Sequence, residues 1–306
     1  MMTKIFKHIL IIGGGLIGSS IARACREKCP DMTISMFDSS EGVRDTLQVL
    51  AIADKVVQNS QEVSAQADLV ILAVPPASMV DAFMPIQGHL KPGAVVSDVG
   101  SVKSSIVKNL TPLMPDSVEF IGGHPIAGTE KNGPRAGFAS LFEDRWCILT
   151  PESVNSVNTE SLCEFWQALG SKVEFMDAAR HDLVLATTSH LPHLIAFALV
   201  GTAMDMETVT RNEVVKYSAG GFRDFTRIAA SDPVMWRDVF LENKDSVLEV
   251  LGRYIEDLTA LKRSIRWGEG DALLEQFAKT RDIRRRILDA GEDSNVVNFG
   301  RDGINE

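Results

Sequence analysis

A few short segments carry residue types suited to chemistry. In Gly122-Gly123-His124-Pro125-Ile126-Ala127-Gly128-Thr129-Glu130, one histidine stands among glycines and proline, directly after a short apolar run. That composition predicts a shaped loop, where an imidazole can act as an acid or base near neutral pH. Gly100-Ser101-Val102-Lys103 follows a similar run. Ser101 there is either the N-cap of the next helix or a hydroxyl in the same crevice. The segment Gly220-Gly221-Phe222-Arg223-Asp224-Phe225-Thr226-Arg227 supplies two guanidinium groups. Arginine suits two-pronged carboxylate binding, although a surface ion pair is the ordinary fate of either one. Ser189-His190-Leu191-Pro192-His193 sets two histidines three apart. With no HExxH pattern and no acidic neighbour in sequence, no metal site is expected there.

A different chemistry is written near the start. HILIIGGGLIGSS holds Gly13-x-Gly15-x-x-Gly18 between an apolar run and a helical segment. In a dinucleotide fold the first glycine permits a tight turn. The second admits the pyrophosphate close to the backbone, and the third lets helix and strand pack. The phosphates then meet the helix N-terminus. A second apolar run ends at Asp38, twenty residues after Gly18. A carboxylate there can accept the ribose hydroxyls and repel a 2′-phosphate, so NAD is expected over NADP. Arg44 lies near enough in sequence to leave NADP open. The candidate cofactor contacts are Gly13, Gly15, Leu16, Ile17, Gly18, Asp38, Pro75 and Ser101.

These residues need elements to position them. Ile9–Ile12, Thr33–Phe37, Asp68–Val74, Ala94–Ser97 and Phe120–Gly122 are short apolar runs, and helical segments near Leu16–Lys28 and after Glu41 alternate with them. Further strands are expected at Trp146–Leu149 and Lys172–Met176. Strands buried on both faces and separated by helices predict a parallel, doubly wound α/β sheet. After about Asp177 helical periods take over. Ala186–Val200 is apolar nearly all round, which predicts burial on every side, and Pro192 should bend it. Asp232-Pro233 reads as an N-cap and first helical residue. Val247, Leu251, Tyr254, Leu258, Leu261 and Ile265 form a heptad-like stripe, either packing within its own domain or a dimer seam. The expected organisation is a Rossmann-type domain at 1–177 and an all-α domain for substrate binding and dimerisation at 178–306.

Composition excludes some classes. The net charge of −10 argues against non-specific binding to nucleic acid or anionic membrane. The apolar run after the N-terminal methionines is cut short by glycines before a signal sequence could form, and no stretch is expected to be long enough to span a bilayer. Cys25, Cys29, Cys147 and Cys163 form no CxxC pair. Free thiols fit a cytoplasmic protein, with Cys25 and Cys29 on one helix face as core residues.

GSVK, GGHPIAGTE, SHLPH and GGFRDFTRIAASDPVMWRD, in this order after a GxGxxG domain, resemble the prephenate and arogenate dehydrogenases. The resemblance runs from about His8 to about Asn243, with weaker likeness beyond. It is nearest to the single-function bacterial cyclohexadienyl dehydrogenases, without a fused chorismate mutase or a regulatory ACT domain. The resemblance implies NAD-dependent oxidative decarboxylation of prephenate or arogenate, on the route to tyrosine. It implies that His124 accepts the proton of the ring hydroxyl and that Ser101 orients that hydroxyl. Arg227 would hold a substrate carboxylate, with His193, Thr129, Glu130 and Trp236 in the substrate pocket. An unperturbed histidine pKa near 6.5 would set the acid limb of activity.

Two other functions are weighed. A β-hydroxyacid dehydrogenase would need a helix-borne catalytic lysine, where this chain offers a histidine. A non-enzymatic NAD sensor would not need His124 together with Arg227.

Overall fold

The apolar runs become strands of one eight-stranded sheet. In a computed structural model, which describes residues 6–129, 131–210, 216–217 and 219–289, β1 is His8–Ile12, β2 Thr33–Phe37, β3 Lys55–Val56 and β4 Leu69–Leu72. β5 is Val95–Asp98, β6 Glu119–Pro125, β7 Trp146–Thr150 and β8 Lys172–Phe175. Among them run α1 (Leu16–Lys28), α2 (Glu41–Leu50), α3 (Gln61–Ser64), α4 (Met79–Phe83), α5 (Ser104–Leu110) and α6 (Val157–Ala168).

The strand order is β3-β2-β1-β4-β5-β6-β7-β8. The direction of winding reverses between β1 and β4, and this is where a doubly wound sheet opens its crevice. β1, β4 and β5 are buried along their whole length. Alternation divides β1 between two cores. Ile9 and Ile11 pack with Ile21 and Cys25 of α1, and Leu10 and Ile12 with Met79, Phe83 and Ile106.

One expectation fails at β6. Its first half pairs parallel with β5, but Gly122–Pro125 pairs antiparallel with β7, Gly122 opposite Thr150 and His124 opposite Ile148. The sheet is therefore mixed. The pairing with β7 also makes the His124 segment a strand, not the expected loop.

Beyond β8 the structure is helical. α7 (Ala178–Leu185) leads through a π turn at Ala186–His190 into α8 (Leu191–Thr210). Pro192 donates no N–H and its ring crowds the carbonyl four residues back, and the widened turn before it relieves both. The helical run therefore continues across the proline. As a result Ala178–Asp205, 28 residues, is long and apolar enough to cross a bilayer by length and composition, contrary to expectation. Burial on every side of Ala186–Val200 also fails, because Ala198 and Leu199 are exposed. α9 (Gly220–Thr226), α10 (Pro233–Glu242), α11 (Lys244–Trp267) and α12 (Gly270–Asp289) follow. Asp232 caps α10, its Oδ1 accepting from Val234 N (2.8 Å) and Met235 N (3.0 Å).

Packing divides the chain into two compact units, Met1–Lys244 and Asp245–Glu306. Every described candidate site residue lies in the first.

Candidate active site

The glycine loop after β1 has the geometry of a phosphate cradle. Gly13 has φ +109°, and a β-carbon there would lie 2.2 Å from Ala73 O, at the end of β4. A β-carbon at Gly18 would lie 2.0 Å from Gly13 O. Both positions admit only glycine. At Gly15, the N-cap of α1, a β-carbon would meet nothing within 4 Å. Open space before a helix N-terminus fits a pyrophosphate. Leu16 and Ile17, half-buried, form the first turn, and Pro75 is exposed after β4.

Asp38 directly follows β2 and holds this loop. Its Oδ2 accepts from Gly14 N (2.7 Å) and its Oδ1 from Ser40 N (2.9 Å). Arg44 folds onto the same turn. Its Nη1 donates to the Asp38 and Ser39 carbonyls (2.8 and 3.0 Å), and its guanidinium lies 6.0 Å from the Phe37 ring centroid.

The next two loops meet at Asp98, the last residue of β5. Its Oδ2 accepts from Gly100 N (2.7 Å) and pairs with Lys103 Nζ, both side chains being fully buried. Its Oδ1 accepts from Gly123 N (3.1 Å). A β-carbon at Gly123 would lie 2.7 Å from Asp98 O, so β6 reaches this close only as glycine. The half-buried Ser101 sits between Gly100 and Lys103, in a loop fixed on both sides. On the far side Asp182 of α7 takes Lys103 N on Oδ1 and Ser104 N on Oδ2, both at 2.8 Å.

The buried His124 lies where β6 runs on past its pairing with β5, beyond the carboxyl end of that strand. Its Nδ1 is 2.8 Å from His181 Nε2, and His181 Nδ1 is 2.9 Å from Asp182 Oδ1. Burial holds the His124 pKa well below the ordinary imidazole value, and the charges of His181, Lys103 and His190 add to the effect. Burial also lowers His181, outweighing the Asp182 carboxylate. His124 is therefore a neutral base across the neutral range.

Three further side chains come from the helical segment. His190, in the π turn, is 3.1 Å from Asn243 Nδ2, which also donates to Asp182 O (2.8 Å). Its pKa falls to about 4, chiefly through burial. His193 donates from Nδ1 to Ser189 O (2.8 Å), so its Nε2 is left for other partners. Its ring stacks on Trp236 at 3.6 Å. Burial lowers its pKa, and the Arg227 guanidinium lowers it further against the Ser189 carbonyl. Arg227 itself is exposed. Thr129, half-buried, accepts Lys131 N (3.2 Å), and Asn132 ties that loop to Asp232 (3.4 Å). Glu130 lies outside the described residues.

The sequence reading missed Asp98, Lys103, His181, Asp182 and Asn243. Asp98 stands two residues before the Ser101 motif and Lys103 ends it, and their signal was two opposite charges beside a buried strand. His181-Asp182 stood at the switch to helical periods. Among the described residues no His, Cys, Asp or Glu side chains cluster as a metal site.

Comparison with known proteins accords with this geometry. Residues 21–175 match the prephenate dehydrogenase nucleotide-binding domain, and residues 177–279 the prephenate dehydrogenase dimerization domain. A cyclohexadienyl dehydrogenase of Zymomonas mobilis is 44% identical over 281 residues, 92% of this chain and 96% of the relative. Prephenate dehydrogenase of A. aeolicus, solved with hydroxyphenyl propionate and NAD⁺, superposes with a TM-score of 0.85 at 35% identity, over 94% of this chain and all of that one. Synechocystis arogenate dehydrogenase superposes at 0.74 and 27% identity, over 90% and 99%. The loop of Ser101 and the strand of His124 lie within the first family match and the glycine cradle just before it, and the chain belongs to the prephenate dehydrogenase family.

Proposed function

We propose that this chain oxidises and decarboxylates prephenate, arogenate or both, with NAD⁺ as cofactor, to give 4-hydroxyphenylpyruvate or tyrosine. The observation that carries this reading is the buried, neutral His124, hydrogen-bonded through His181 to Asp182, at the carboxyl edge that also carries the glycine cradle.

The substrate is a cyclohexadienol with a hydroxyl at C4 and a carboxylate at C1. His124 draws the hydroxyl proton onto Nε2 as C4 gives up a hydride. Ser101, in a loop braced by Asp98 and Asp182, orients the hydroxyl. Bound NAD⁺ supplies the hydride acceptor. Loss of carbon dioxide makes the ring aromatic, so aromatisation supplies the driving force and the residues supply placement. Arg227, near His193 and its Trp236 stack, pairs with a substrate carboxylate inside an otherwise acidic protein. Thr129 completes the pocket. Lys103 cannot play the part of a helix-borne catalytic lysine, because its ammonium is buried against Asp98. This disfavours a β-hydroxyacid dehydrogenase.

The cofactor preference rests on Asp38, whose charge would repel a 2′-phosphate. Arg44 is engaged with backbone carbonyls instead. We read the functional division as falling between residues 177 and 178, close to the break between the two family matches at 175 and 177, and the active species as a homodimer through the helical region. In that reading the exposed apolar residues of Ala178–Asp205 face a second subunit. The four free thiols support a cytoplasmic location.

The test is NADH formation with prephenate and with arogenate, each with NAD⁺ and NADP⁺. Turnover of either substrate with NAD⁺ preferred supports the reading. No turnover of either overturns it, and a preference for NADP⁺ overturns the role of Asp38.

A further inference from the structure

The hydrogen-bond chain behind His124 has only one consistent direction. Asp182 accepts from two backbone amides as well as from His181. Burial opposes its ionisation, but bonds from His181, Ser104 and Lys103 hold its carboxyl pKa below the ordinary value. An ionised carboxylate can only accept, so His181 Nδ1 donates to it. Neutral imidazole has one N–H. His181 Nε2 is therefore bare and must accept from His124 Nδ1, 2.8 Å away. That leaves His124 Nε2 with a lone pair.

We propose that His181 and Asp182 are positioning residues that fix His124 as its Nδ1–H tautomer and steady the imidazolium formed on proton uptake. The reading rests on His124 as the base. In the step, the substrate O–H bond breaks and an N–H bond forms at His124 Nε2. The Nδ1 proton stays in place, its bond to neutral His181 strengthening as the ring becomes charged, with the Asp182 carboxylate behind it. No further proton transfer is needed. The same carboxylate holds the loop of Ser101 through Lys103 N and Ser104 N. One side chain thus sets both the base and the hydroxyl that works with it. The other titratable groups around His124 are Lys103 and Asp98 near the end of β5, Cys147 on β7 and His190 on the π turn.

The test begins with nitrogen NMR of isotope-labelled histidines in the full chain, at about pH 7.5, above the ordinary histidine pKa. The chain has six histidines, and His124→Asn identifies the one concerned. The wild type should show His124 protonated at Nδ1 and bare at Nε2. A second arm is His181→Phe, which keeps an aromatic ring and removes the acceptor. It should mix the His124 tautomers and lower kcat roughly 10- to 100-fold, less than the about 10²–10⁴-fold expected for loss of the base itself. KM values should stay within about threefold, because ground-state binding is untouched. His181→Gln, with an amide oxygen to accept, should recover part of the loss. An Nε2–H tautomer for wild-type His124 overturns the proposal, and so does a His181→Phe variant with unchanged tautomer and kcat. If the phenylalanine variant does not fold, the wild-type spectrum still decides. Near-wild-type turnover by His124→Asn would instead sink the base assignment, whatever the tautomer.

Discussion

Arg227 is exposed in the single chain, and this limits what its ion pair can contribute. A charged hydrogen bond to a substrate carboxylate is worth about 1.5–3 kcal/mol. Arg227→Ala should therefore raise KM for the substrate roughly 10- to 100-fold, with kcat and the cofactor's dissociation constant little changed. Steady-state kinetics checks this, and an unchanged KM would remove Arg227 from the site. The pH profile belongs to His124. Its pKa is depressed, first by burial, so the base stays competent until the pH falls through a value well below the ordinary one. The acid limb of kcat/KM should lie below about 6.5, not at the unperturbed value. A limb at or above 6.5 would contradict the buried geometry. The motifs around His124 and Arg227 were legible, but the placement of His124 on a strand was not. The depressed pKa was not legible either, because it arises first from burial and then from His181, Lys103 and His190, which the fold brings alongside.

At the scale of elements, the alternation of strand and helix through Phe175 was legible from apolar runs and their punctuation. The reversal of β6 against β7 was not. A strand buried on both faces reads the same whichever way its neighbour runs. The π turn before Pro192 was also hidden, since a proline in a helical period predicts a bend and not its remedy. Asp232-Pro233 was legible because capping is local chemistry. The cap sets α10, which carries Trp236 to its stack on His193. Asp232→Ala should cost about 1 kcal/mol. In a unit of this size that lowers the melting temperature by about 2–4 °C. An unchanged melting curve would mean the cap does not hold the helix.

For the whole molecule, a net charge of −10 surrounds the proposed site, where Arg227 would meet the anionic substrate locally. The second unit by itself leaves Leu258, Ile265, Leu274 and Phe277 at 45%, 66%, 69% and 53% exposure. Apolar surface on this scale marks an association face. The heptad-like stripe showed Leu258 and Ile265, but periodicity alone could not tell intradomain packing from a seam. Sedimentation at micromolar concentration should give a dimer of 33.4 kDa chains, and a monomer would contradict the homodimer. The central claim is oxidation coupled to decarboxylation at His124. Its most direct test counts NADH and carbon dioxide together, from prephenate or arogenate with NAD⁺. The account predicts one of each per turnover, with both rates falling together by about 10²–10⁴-fold in His124→Asn. NADH without carbon dioxide, or a His124→Asn enzyme that makes both at the wild-type rate, would contradict it.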